Sequence, residues 1–236
     1  MNKQRGFTLV EMILALLISA ILAGIIIEII AGPIKSYFWV TQRALYVQEA
    51  ELALDVLQRE VIHAFSPTIL TTNHSDKQTL SFHKILSSAF VQVDNTEIPS
   101  MVVLTQLDNH IEMNKPYLVH FVDDESKKKL YRAKLTVDEG KTYVTLDEKM
   151  VLKAQGEPIQ INILSGLISY QCDSTKHVLE RYENKDTSLV NNQIKDCRFS
   201  TMEVGKATMV FLNLQLKSLS KEPISMTYPV LVETVM

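Results

Sequence analysis

The sequence predicts an α+β fold: one long N-terminal helix laid on a domain of antiparallel β-sheet. Three observations carry that reading. Residues 12–31 are apolar except for Ser19 and Glu28. Apolar residues then recur at spacings of three and four over residues 40–64. Past Pro67 the texture changes to short alternating segments bounded by turn residues.

The chain has 236 residues and a net charge of −3, which fits one domain plus an anchor, or at most two small domains. A mildly acidic balance gives no electrostatic footprint for nucleic acid. No internal repeat or low-complexity tract is visible.

Lys3 and Arg5 precede the apolar run, and no acid accompanies them. Positive charge at that end holds it in the cytoplasm and sends the remainder of the chain to the other side. The run is long enough to cross a bilayer, which takes ~20 largely apolar residues. A secretory signal has a shorter apolar core followed by small residues at its cut site. Here the small residue, Gly6, comes before the run. Cleavage after Gly6 removes residues 1–6 and leaves the apolar helix on the mature protein.

Glu11 is the unusual residue. A charge at the centre of a membrane helix costs roughly 2.5–3.5 kcal/mol and usually has a partner. Near the end of the run the cost is smaller. Two readings stand: an acid snorkelling to the membrane edge, or a carboxylate paired with a free amine on Phe7 of its own or a neighbouring chain. The helix dipole favours a carboxylate there in either case.

Gly32-Pro33 is expected to bend or break the helix, because proline removes a backbone donor and crowds the preceding turn. Tyr37, Phe38 and Trp39 suit a membrane interface. Helical pattern resumes at Val40, and Tyr46, Ala50, Ala53, Leu57, Val61 and Ala64 share one face, with Leu54 beside it. That face is expected to pack on a sheet. Ser66-Pro67 ends the helix. Strands are expected over residues 79–83, 101–107, 117–122, 130–137, 141–146, 159–171, 177–182, 207–217 and 224–235. Gly166 marks a bulge or turn, and Pro229 argues that the last strand lies at an edge.

Catalytic patterns are missing. The histidines His63, His74, His83, His110, His120 and His177 form no metal-binding pair of the H-E-x-x-H kind. Asp123, Asp124 and Glu125 read as a solvated hairpin tip rather than half a calcium site, because lysines 127–129 follow at once. No nucleophile–base motif or phosphate loop occurs. The expectation is no enzyme, no cofactor and no metal.

Gly6-Phe7-Thr8-Leu9-Val10-Glu11, behind a basic leader and ahead of a membrane-length run, resembles the N-terminal signal of type IV pilins and type II secretion pseudopilins. The resemblance implies a pilin-like fold and cleavage between Gly6 and Phe7 by a prepilin peptidase. It also implies N-methylation of Phe7 and a register role for Glu11, which would neutralise the amine of an adjacent subunit. Gly32-Pro33-Ile34-Lys35-Ser36-Tyr37, the stretch 50–59, Ser169-Tyr170-Gln171-Cys172-Asp173 and Cys197-Arg198-Phe199 are similar to O-type minor pilins of the MSHA pilus biogenesis system. W-type minor pilins and J-type pseudopilins are related. Glu28 departs from the usual uniformly apolar span; it either pairs with another subunit or sits at a boundary.

The implied organisation is a leader over 1–6, a transmembrane and filament-core helix over 7–32, its amphipathic continuation over 33–66, and a mainly β periplasmic domain over 67–236. The implied location is the bacterial inner membrane, with the N-terminus cytoplasmic, and later the pilus or pseudopilus. Implied partners are the prepilin peptidase, other minor and major pilins or pseudopilins, the inner-membrane assembly platform and the lipid bilayer. In that oxidising compartment Cys172 and Cys197 are expected to form a disulfide; the alternative is two buried thiols. The expected function is assembly into, or initiation of, a filament. Its rivals are a filament-tip subunit that binds DNA, a surface or an exported substrate, and a membrane-anchored periplasmic enzyme.

Overall fold

The structure, a computed structural model, describes residues 8–74, 76–95, 100–122, 129–148, 157–184, 186–205, 207–216 and 224–233. The chain divides into two units, Met1–Gln48 and Glu49–Met236. Among the described residues it is α+β: one long helix, α1 (Leu9–Val61), followed by antiparallel strands.

The described part of the first unit is α1 alone. Its apolar side chains are exposed, Leu16 and Ile27 by about two thirds. The expected break at Gly32-Pro33 does not occur, because Pro33 lies inside the helix. One lost backbone hydrogen bond does not end a helix that has a continuous apolar run before it and a helically spaced apolar face after it. The hairpin tip expected around residues 123–127 lies outside the described residues.

In the second unit, the last turns of α1 bury Ala50, Ala53, Leu54, Leu57 and Val61, the face the spacing predicts. The helix closes at Val61, just short of the expected end, through the tight bonds His63 N–H to Glu60 O and Ala64 N–H to Val61 O. A 3-10 turn, Ser66–Thr68, follows.

The larger sheet contains β1 (Leu70–His74), β2 (Lys77–Asn95), β3 (Ser100–Val103), β4 (Pro116–Phe121), β5 (Tyr131–Asp138), β6 (Lys141–Leu146), β7 (Ile159–Asp173), β8 (Val178–Glu183) and β9 (Asp186–Asn191). Its order is β1-β2-β3-β6-β5-β4-β7-β8-β9, with β2 also paired to β7. That extra pairing closes β2-β3-β6-β5-β4-β7 into an antiparallel ring of six strands. All six contribute to one apolar core, including Val91, Met101, Phe121, Leu135, Val144 and Ile161. Closure leaves these strands without a free edge.

The first half of β2 and the second half of β7 leave the ring and continue as an open sheet with β1, β8 and β9. The change falls at register shifts between His83 and Ser87, opposite Ser165-Gly166. Gly166 therefore sits in a bulge, as its position in the strand predicts. The β5–β6 hairpin turns through Glu139 and Gly140, both at positive φ (47° and 77°), the conformation a tight two-residue turn demands.

The second sheet is β10 (Ile194–Val204), β11 (Ala207–Leu216) and β12 (Ile224–Glu233). Val210, Leu212, Leu214 and Leu216 alternate along β11 as its buried row. Pro229 lies in β12, an edge strand, where a missing donor breaks no ladder. Strands β1, β9 and β10 have no counterpart among the sequence expectations, β2 is longer than expected, and β3 is shorter.

Candidate functional site

The site is the start of α1. Gly6 and Phe7, the predicted cleavage pair, lie outside the described residues; Glu11 lies inside them. The Oε2 of Glu11 accepts the Thr8 backbone N–H at 3.0 Å and the Thr8 hydroxyl at 3.0 Å. The Glu11 N–H in turn points to the Thr8 hydroxyl oxygen at 3.4 Å. This is a reciprocal capping box, Thr-x-x-Glu, which satisfies backbone donors that a helix start otherwise leaves open. The amide nitrogen held by Glu11 belongs to the peptide that joins Phe7 to Thr8. The second carboxylate oxygen of Glu11, Oε1, makes no hydrogen bond among the described residues.

Thr8 is the residue that the sequence reading missed. The signal was present: a threonine three positions before a glutamate, at the head of an apolar run.

The expected disulfide is present: Cys172 in β7 bonds Cys197 in β10, with Cα atoms 6.2 Å apart. Around it the two sheets meet through polar contacts. The Phe199 N–H donates to Gln78 Oε1 at 3.3 Å, and the hydroxyls of Ser66 and Thr208 lie 2.6 Å apart.

Within the second unit α1 is tied to the open sheet by Glu60. Its carboxylate accepts the Tyr170 hydroxyl at 2.7 Å and Arg181 Nε at 2.9 Å, with Arg181 Nη2 at 2.8 Å. Glu183 holds the same guanidinium at 2.6 Å. Burial, then the Glu60 hydrogen bond, push the Tyr170 hydroxyl above its ordinary pKa. The Glu60 hydrogen bond raises Arg181 further above its ordinary range. This cluster ties the last turns of α1 to the open sheet. Among the described residues no three His, Cys, Asp or Glu side chains gather as a metal site.

Helix α1 is long and apolar enough to cross a membrane, its start is capped, and an antiparallel β domain follows it. Residues 1–27 match the family model described as the prokaryotic N-terminal methylation motif. No curated protein and no solved structure matches the chain.

Proposed function

We propose that the protein is a minor pilin or pseudopilin that assembles into, or initiates, a type IV pilus or type II secretion pseudopilus. In this reading the prepilin peptidase cuts between Gly6 and Phe7 and methylates the new N-terminus. The helix over 7–32 waits in the inner membrane and then enters a bundle of like helices. Both surroundings suit it, because a helix satisfies its backbone internally in either. Residues 33–66 continue the helix and residues 67–236 form the periplasmic domain. Glu11 sets the register through the amine of an adjacent Phe7. The likeness to O-type MSHA biogenesis pilins suits an initiating or tip complex made with other minor pilins on the assembly platform. The role is structural rather than catalytic.

The observation that carries the reading is the methylation motif over residues 1–27, which spans the leader, the Gly6-Phe7 step, Glu11 and most of the apolar run. The test is mass spectrometry of the mature chain from native membranes. Loss of residues 1–6 and a methyl group on Phe7 are expected. An intact leader, or cleavage after Ala31, overturns the reading.

A further inference from the structure

Glu28 is the one ionisable residue between Glu11 and Lys35. Both Glu28 and Lys35 are exposed on α1, and neither makes a hydrogen bond or ion pair among the described residues. Ile29, Ile30, Ala31 and Ile34 continue the apolar run beyond Glu28, so the carboxylate is not at the end of it. A carboxylate in such surroundings calls for a cation. Its own chain offers none within one helical turn. Lys35 lies seven residues on, about 20° from the same line along the helix and about 10.5 Å further along the axis.

We propose that Glu28 pairs with Lys35 of a second copy of this chain, packed parallel and displaced along the helix axis. The proposal rests on the bundle reading above and names the partner of a residue that reading leaves unexplained. The second copy is favoured because one helix carries both halves of the pair on one face. Helices that turn this face toward a common axis place both groups inside the bundle.

The displacement agrees with the register set by Glu11. Bringing a neighbour's Phe7 level with Glu11 takes a shift of four residues, about 6 Å. Bringing a neighbour's Glu28 level with Lys35 takes a shift of seven residues, about 10.5 Å. The difference is about 4.5 Å, at 1.5 Å per residue. A lysine side chain leans toward its helix N-terminus and covers that distance, so one stagger serves both pairs.

The test uses two differently tagged full-length copies produced together, one carrying Glu28→Cys and the other Lys35→Cys, oxidised in native membranes. The native cysteines are already bonded to each other. The mixed product is expected in several-fold excess over the product joining two Glu28→Cys copies. An excess of that same-residue product, a crosslink to a different protein, or no product overturns the pairing. A charge swap gives a second readout. Glu28→Lys and Lys35→Glu each lower the amount of chain recovered with filaments, and the double variant restores it; a double variant no better than the singles overturns the proposal. Leader loss and Phe7 methylation are read in the same preparation. Failure there removes the filament reading itself, whereas normal processing without the mixed product removes only this pairing.

Discussion

Asp173 is only 3% exposed, yet donors surround it. Its Oδ1 accepts from the Thr175 N–H at 3.0 Å, the Thr175 hydroxyl at 2.5 Å and the Lys176 N–H at 3.0 Å. Lys77 lies 3.8 Å from its other oxygen. The Thr175 hydroxyl leads the effects that hold its pKa below the usual carboxylate value. The contribution to stability follows in sign. An unfolded Asp titrates near 3.9, so the stabilisation is complete above that pH and is lost as pH falls through the lower folded value. Denaturant midpoints measured from pH 7 down to pH 2 are therefore expected to fall less steeply in Asp173→Asn than in the unaltered chain. Parallel acid limbs in the two proteins would show that this turn contributes nothing to the pH dependence. At the same scale, Thr8 was readable from spacing alone, but Glu11 drew attention as a charge near a membrane and as part of the N-terminal signal, not as half of a helix cap.

Among elements, α1 was the most legible. Ala50, Ala53, Leu57 and Val61 recur at helical spacing and are the residues buried. The hairpins of β4 with β5 and β11 with β12 were legible too, because alternation and turn residues coincide. The long β2 was not, since its bulges interrupt the alternation midway. Strand β9 is mostly exposed and polar, so it carries no apolar signal. Glu60 was equally hidden. Its partners Tyr170 and Arg181 lie 110 and 121 positions away, and only the pairing of β7 with β8 brings them together. Glu60 and Arg181 side chains are about one-fifth exposed, whereas the Asp55–Arg59 pair on the same helix lies largely in solvent. Glu60→Ala is thus expected to cost about 2–4 kcal/mol, because it strips a charged acceptor from two part-buried donors. Asp55→Ala is expected to cost at most about 0.5 kcal/mol. Chemical denaturation of the detergent-solubilised chain compares them. Equal costs would mean that the Glu60 cluster does not hold the helix to the sheet.

The whole β domain joins two structures of unequal autonomy. The six-stranded ring has its own core and no free edge, so its strands support one another on both sides. The three-stranded sheet has two edges and buries one apolar row, and a sheet of that size depends on what it packs against. It is joined to the rest by the apolar row it buries, by the Cys172–Cys197 bond and by the Gln78 and Ser66 contacts beside that bond. The bond spans a sequence separation of 25, which corresponds to a stabilisation of about 3.5 kcal/mol in the chain-entropy account. Its loss should not be felt evenly. On reduction, or in the paired Cys172→Ser and Cys197→Ser variant, amide exchange is expected to quicken first in β10–β12. The amides of β5 and β6, which lie within the ring, should keep their protection until global unfolding. Hydrogen exchange read by mass spectrometry, with and without reductant, resolves the two sheets. A uniform rise across both would mean that they unfold as one unit, and that the disulfide stabilises the domain as a whole rather than tethering a separable sheet.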